Sequence, residues 1–254
     1  MESLYNDSDS RFLKAKLNDM LEISEKNCIP VYSDFLDERQ AGFLNAELQK
    51  LHCHDFLFFG GYDDAQRKIL CVHTPYYVPE PEDFPLNIIQ FSYRKADVLT
   101  HRDFLGSVMA CRIKREKVGD ILISDGLAQI FVYDSVSGFL INEITKIGRV
   151  GVKASITDRC TIKRIQKYQD IRGTVASMRL DCILSLALRK SREKTVQIIK
   201  KDGADINFVT VFSPSVTLKE NDVFSVRGFG KFILKNISAP TSKGRFHILI
   251  QKFI

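Results

Sequence analysis

The chain has 254 residues, 44% of them hydrophobic and 27% charged, which is ordinary globular usage and enough length for two or three domains. No run of about eighteen apolar residues occurs, and the opening MESLYNDSDSRFLKAK lacks the basic region and apolar stretch of an export signal, so a membrane span is excluded and a cytoplasmic location expected. Net charge is +6 and uneven: from Met178 onward there are 14 Lys and Arg against 6 Asp and Glu, and before it 23 against 25, so the C-terminal third is the part suited to a polyanion such as RNA.

Residues 1 to 75 read as an N-terminal α/β domain. Helices are expected near 10–27 and 34–51. Ser33 or Asp34 would cap the second, and Phe35, Leu36, Phe43, Leu44 and Leu48 form its apolar stripe. FLFFGG (56–61) and RKILCVH (67–73) then read as a hairpin. The six cysteines are scattered with no C-x-x-C pair, so reduced thiols are expected. His52, Cys53, His54, Cys71 and His73 are metal-type ligands, but their spacing matches no zinc module, and no metal or cofactor is expected. TPYYVPEPEDFP (74–85) carries four of the chain's seven prolines and reads as a linker or surface loop.

Residues 76 to 165 form the second expected domain. LNIIQFSY is a strand, 96–111 a helix, and DILIS and LAQIFVY a hairpin across Asp125-Gly126, where both turn positions call for positive φ. Residues 134–147 are helical, and GRVGVKASI closes the sheet. The β-α-β-β-α-β order is ferredoxin-like. Period two puts Gln129, Phe131 and Tyr133 on one face, either as a base-stacking platform or, the reading preferred, buried against the neighbouring domain.

Residues 157–175 read as a polar, basic connection. The third domain spans 176–254. Helices are expected at 179–189 and 191–201, with Ser191 capping the second, followed by strands near 204–211, 222–227, 231–237 and 245–253. Leu180, Ile183, Leu184 and Ala187 of the first helix, and Val196, Ile198 and Ile199 of the second, point inward. The fold class is therefore α+β.

Several familiar strings fail on context. RGFGKFIL (227–234) has only one residue between Gly228 and Gly230 and continues as a strand, so it is not a phosphate loop. As an RRM octamer it would need an aromatic residue at Lys231, and a helix and strand after it. HRDF (101–104) has Val108 where a kinase loop needs Asn. Asp181 sits in a tripeptide like that of pseudouridine synthases, but too little chain follows for their catalytic domain, so it is read as a cap near the helix start.

MRLDCILSLALRKSREKTVQIIKKDGADIN (178–207) and LKENDVFSVRGFGKF (218–232) resemble the S4 RNA-binding domain. The second helix shows its N-terminus beside Arg189, Lys190, Arg192 and Lys194, a combination suited to phosphate. Two departures stand out: Asp202 occupies the family's glycine position, with Gly203 next to it, and Asp205 stands where a basic residue is expected. THRDFLGSVMACRIKREKVGDILISDGLAQIFV (100–132), EITKIGRVGV (143–152), FLDERQ (35–40) and GGYDDAQRKIL (60–70) extend the resemblance to the YlmH family of S4-domain proteins, over nearly the whole chain.

The resemblance implies a monomeric, non-enzymatic RNA-binding factor that docks on the 50S subunit, on rRNA and peptidyl-tRNA, in ribosome-associated quality control, with no membrane and no small-molecule substrate. The alternative is an RNA-modifying enzyme targeted by the S4 module, which would need a ligand-sized pocket within residues 1–156. Candidate RNA contacts are Arg179, Arg189, Lys190, Ser191, Arg192, Lys194, Lys200 and Lys201 around the helix pair, and Arg227 and Lys231 at the RGFGKF bend. In the middle domain they are His101, Arg102, Lys114 and Arg115, within basic clusters that also hold Arg94, Lys95, Arg112 and Lys117.

Overall fold

The computed structural model describes residues 7–164, 168–207, 209–240 and 244–254. The architecture is α+β, divided into one unit of Arg11–Arg164 and another built mainly from Ile165–Ile254. The expected boundary near residue 75 thus separates two sheets inside one unit, and that at 165 lies outside the described residues.

In the first unit, α1 (Asp7–Asn27) buries Leu13, Leu17 and Met20 at helical spacing. β1 (Val31–Leu36) and α2 (Glu38–Lys50) follow. The helix expected from 34 thus begins at Glu38, and Phe35 and Leu36 are buried strand residues. Its cap is Asp37, not Ser33 or Asp34. The Asp37 carboxylate accepts from the backbone N–H groups of Arg39 (3.0 Å) and Gln40 (2.8 Å), and the Gln40 side chain accepts from that of Asp37 at 2.9 Å. Buried Ser33 accepts from the Leu70 N–H at 2.9 Å. β2 (Phe56–Phe59) and β3 (Lys68–Val72) form a hairpin, giving a three-stranded sheet ordered β1-β3-β2.

A second sheet comes from β4 (Leu86–Ser92), α3 (His101–Ala110), β5 (Val118–Ser124), β6 (Leu127–Tyr133), α4 (Asp134–Glu143) and β9 (Lys153–Thr157). The short strands β7 (Lys146–Ile147) and β8 (Val150–Gly151) precede β9. Its order is β5-β6-β4-β9, antiparallel throughout. α3 starts at His101, later than residue 96, because Thr100 stands at its N-cap and the Asp103 carboxylate accepts the Thr100 N–H at 2.8 Å. Asp125-Gly126 does join β5 to β6, but only Gly126 takes positive φ (+74°), so the turn differs from the one expected.

Both faces of this sheet are covered. Ile89, Phe91, Ala128 and Ile130 form a core with α3 and α4, while Ile88, Leu122 and Phe131 pack against Phe35 and Ile69 of the first sheet. This is why LNIIQF and LAQIFV read as nearly unbroken apolar runs. Gln129 and Phe131 are wholly buried, so that face belongs to the core, as the preferred reading held. Gln129 Oε1 accepts the Thr161 N–H at 2.8 Å, and its Nε2 donates to the Arg159 carbonyl at 2.9 Å, fastening the segment after β9.

GGYDDAQRKIL locks the two sheets together. Asp120 on β5 accepts from the Tyr62 hydroxyl (2.7 Å), Gln66 N (2.7 Å) and Arg67 N (3.2 Å). Arg67 reaches back to the carbonyls of Val118 (2.8 Å) and Phe35 (3.0 Å). Gly61 lies against Phe131, with φ +95°, and a Cβ there would sit 2.3 Å from that ring.

In the second unit, β10 (Tyr168–Val175) leads into α5 (Leu180–Leu188), α6 (Arg192–Asp202), β11 (Ala204–Ile206), β12 (Val209–Val211), β13 (Val223–Val226), β14 (Gly230–Pro240) and β15 (Phe246–Phe253). The stretch expected to be mere connection ends in β10, which pairs with β15 from Tyr168↔Phe253 to Val175↔Phe246. The single strand expected over 204–211 is two, β11 and β12, and residue 208 between them lies outside the described residues. The sheet order is β10-β15-β14-β13-β11-β12. Leu180, Ile183 and Leu184 of α5 and Ile199 of α6 join Phe224, Phe232, Leu234 and Ile250 in one core. Thr195, overlooked in the sequence, is also fully buried and bonds the Ser191 carbonyl at 3.0 Å.

No helix among the described residues is long and apolar enough to cross a membrane. Among those residues, no three His, Cys, Asp or Glu come together in a way that would hold a metal, and the six cysteines are free.

Gly61→Ala combines a disallowed φ with a clash against a packed ring. It should lower stability by about 2–4 kcal/mol, read as an earlier urea midpoint for the Arg11–Arg164 unit.

Candidate nucleic-acid interface

α5 and α6 meet through a three-residue turn. Arg189 is left-handed (φ 51°), and the N–H groups of Arg189 and Lys190 return to the carbonyls of Leu186 (3.3 Å) and Ser185 (3.1 Å). Ser191 then caps α6, its hydroxyl accepting the Lys194 N–H at 3.3 Å. Because the chain turns so tightly, Arg189, Lys190, Ser191, Arg192 and Lys194 are all exposed at one end of α6, where its backbone N–H groups point outward.

Asp181 organises this end. Its side chain is 2% exposed and is not a helix cap. Arg179 grips it with Nε to Oδ1 and Nη2 to Oδ2, both at 3.1 Å. Arg192 adds Nε and Nη2 to Oδ2, each at 2.9 Å, and the Cys182 N–H bonds Oδ1 at 2.9 Å. Burial alone would raise the Asp181 pKa, but the two guanidinium groups more than offset it and hold the carboxyl below its ordinary value. Arg179 and Arg192 keep 41% and 56% of their side-chain surface open to solvent, so each presents its outer edge while its inner edge is fixed.

The RGFGKF bend joins this group. Gly228 and Gly230 take positive φ, the Phe229 N–H bonds the Val226 carbonyl at 3.0 Å, and Lys190 Nζ lies 5.5 Å from the Phe229 ring centroid. Arg227 is exposed on the same bend. Lys231 is not part of this surface. Its neighbour Phe232 is buried under the helices, so by alternation Lys231 lies on the opposite face of the sheet. Lys200 and Lys201 are exposed in the last turn of α6, about 12–13 Å along the axis from Arg192. Gly203, not Asp202, takes the left-handed-side φ (+74°) that ends α6, and Asp205 anchors the sheet by accepting from the Thr210 hydroxyl at 2.5 Å.

In the other unit the basic residues divide. His101 and Arg102 are exposed on the first turn of α3, and Arg112 and Lys114 are exposed beyond its end, Lys114 lying 3.8 Å from Glu116. Crowding by the surrounding protein, with the charges of Arg115 and Arg164, lowers the His101 pKa. Arg115 is turned inward, donating to the carbonyls of Val118 and Gly119, and burial with the nearby Arg67 charge pushes its pKa down to about 10. Among the candidate RNA contacts it is the one whose guanidinium is engaged by backbone carbonyls. Lys117 is likewise engaged, 2.5 Å from Asp34 and 4.0 Å from the Tyr133 ring centroid, and Arg94 pairs with Asp97 at 2.9 Å.

A cleft of about 380 Å³ opens in this unit between Phe59, Phe84, Ile88 and Ile156, with Glu82 and Asp158 as its charged groups. It is negative where a phosphate site would be positive.

Comparison with known proteins decides the ancestry. Residues 79–159 match a family model described as "Putative RNA-binding domain in YlmH". The chain is also 32% identical over 222 residues to the ribosome-associated protein quality control protein P2 of Bacillus subtilis (strain 168), covering 87% of this chain and 86% of that one. The chain belongs to the YlmH family. A solved structure, the cell division protein ylmH from Streptococcus pneumoniae, matches in fold with a TM-score of 0.51 at 22% identity, over 59% of this chain and 91% of that one. In this YlmH-family chain, the region matched by the family model contains the exposed His101, Arg102, Arg112 and Lys114 but not the α5–α6 turn.

The depressed Asp181 pKa has a definite consequence for stability. The carboxylate is unprotonated when folded at lower pH than when unfolded, so it stabilises above about pH 4, and that contribution goes as pH falls through the folded pKa. Asp181→Asn should be about 2 kcal/mol less stable than the parent near pH 7, with the half-exposed arginines limiting the loss, and the difference should shrink as pH falls below the ordinary carboxylate range. Urea unfolding across that pH range checks it.

Proposed function

We propose that this protein is a non-enzymatic RNA-binding factor that docks on the large ribosomal subunit, contacting rRNA and peptidyl-tRNA in ribosome-associated quality control. The observation that carries the reading is the α5–α6 turn. There an outward-pointing helix N-terminus, two arginines pre-set by a buried aspartate and two exposed lysines converge. Such a surface meets phosphate with little further ordering of its side chains. In this reading the second unit is an S4 module, and the β4–β9 sheet is a ferredoxin-like domain offering the α3 cations as a further contact. The name of the Bacillus relative supports the process, and the description of the family model supports RNA as the ligand. The protein acts in the cytoplasm as a monomer.

The enzyme alternative rests on the Phe59–Asp158 cleft. Its lining holds two carboxylates but no His, Cys, Lys or Arg, which favours the non-enzymatic reading.

Charge reversal at Arg192 is a poor test, because a glutamate there would face the buried Asp181. Lys190 and Lys194 are exposed and carry no ion pair with Asp181. Lys190→Glu with Lys194→Glu should reduce co-sedimentation with 50S particles at least tenfold while the melting temperature stays within about 2 °C. The parent's RNA affinity should fall steeply with salt, and the variant's less steeply. Undiminished sedimentation of the variant would refute the docking surface.

A further inference from the structure

The six-stranded sheet of the second unit has two unlike faces. The inner face carries Phe224, Phe232, Leu234, Ile248 and Ile250 beneath the helices, and Gly173 of β10 lies close to Leu186 of α5. Strand alternation puts Tyr168 and Arg172 of β10, Gln251 and Phe253 of β15, and Lys231 of β14 on the outer face. There Tyr168 lies directly across from Phe253, the two rings meeting edge to face with centroids 5.1 Å apart at 65°. Lys231 Nζ lies 5.0 Å from the Phe253 centroid, on the opposite side from β10, because Phe232 pairs with Lys252 and so Lys231 stands across from Phe253. Tyr168 is 42% exposed. The Asp170 carboxylate on β10 is occupied on both oxygens, by Arg172 at 3.3 Å and Gln251 at 3.0 Å, which holds Arg172 against the strand.

We propose that this outer face is a second RNA site, specific for single-stranded RNA. An unpaired base stacks on Tyr168 beside Phe253, and Lys231 and Arg172 meet the flanking phosphates. The inference rests on the RNA-binding reading above and adds a ligand class to it. At the α5–α6 turn the one nearby ring, Phe229, is packed against the core, and the charge there suits the backbone of structured RNA. The outer face offers aromatic rings beside cations, and that combination serves bases that are free of a helix.

The test uses the full chain and two probes: an unpaired oligoribonucleotide of about eight residues containing 4-thiouridine, and a fully paired hairpin. Tyr168→Ala should weaken the single-stranded probe on the order of tenfold, leave the hairpin within about twofold, and leave the salt slope unchanged because no charge is removed. Tyr168→Phe should restore affinity. Photocrosslinks from the unpaired probe to the parent protein should map to Tyr168, Phe253 or their strand neighbours. Lys190→Glu with Lys194→Glu should weaken the hairpin. If that variant loses RNA while Tyr168→Ala binds the unpaired probe normally, the second site is refuted and the docking reading stands. If neither variant loses RNA, both fall. A change of oligomeric mass in Tyr168→Ala without a change in RNA affinity would mean the face meets a second copy of the chain and would overturn the proposal. Should Tyr168→Ala fail to fold, the crosslink position on the parent decides.

Discussion

A carboxylate almost wholly removed from water cannot stay charged without close positive partners, and Asp181 has two. Much of the proposed RNA surface depends on that requirement. Arg179 comes from just before α5 and Arg192 from the first turn of α6, so their shared anion ties the two helices at the end where they project cations. A lone arginine on a helix surface samples many rotamers and must be ordered on binding. Here part of that entropic cost is met in folding, and it is met by a group that solvent and salt barely reach. The arrangement also explains why Arg179 and Arg192 differ from Lys190 and Lys194. The arginines are tied into the fold by the buried carboxylate, whereas the lysines are exposed and make no ion pair with it.

The first unit solves a different problem. Two antiparallel sheets share one core, and the second sheet is sealed on its far side by α3 and α4. Sealing both faces removes any open aromatic platform from β6, and it consumes polar side chains as fasteners. Asp120, Tyr62, Arg67 and Arg115 all end in hydrogen bonds at the seam between the sheets. The conformational freedom of Gly61 matters for the same reason, since the chain just after β2 lies against Phe131 where a Cβ would clash with the ring.

Much of this was legible in the sequence, and the failures share a cause. Elements with a clear period and clear punctuation were readable: the α5–α6 pair, the Ser191 cap, the β5–β6 hairpin and the bend at Gly228 and Gly230. β1 was missed because VYSDFL runs directly into Asp37, and a stripe counted from Phe35 fits a helix as well as it fits a buried strand. β10 was missed because an edge strand with one face open has few apolar residues: YQDIRGTV buries only Val175 fully. The role of Asp181 left no local signal, since one of its partners lies eleven residues away and is met only after the chain turns. Arg115 is the converse case: nothing in its basic cluster signals that its guanidinium satisfies backbone carbonyls.

Formal charge therefore overstates the electrostatic surface in both units, and by different routes. In the first unit Arg67 and Arg115 bond backbone carbonyls and Lys117 bonds Asp34, so part of the basic charge there is engaged within the fold. In the second unit the excess of basic residues is real, but it is divided. Arg189 to Lys194 gather at the turn, Lys200 and Lys201 sit at the far end of α6, and Lys231 lies across the sheet. One polyanion lying on one plane would not reach all three. Charge placed on two faces of a single small sheet requires either that some of it be unrelated to RNA or that RNA be met in more than one form. The company each cation keeps separates these cases: helix N–H groups and buried carboxylate at the turn, aromatic rings on the outer face.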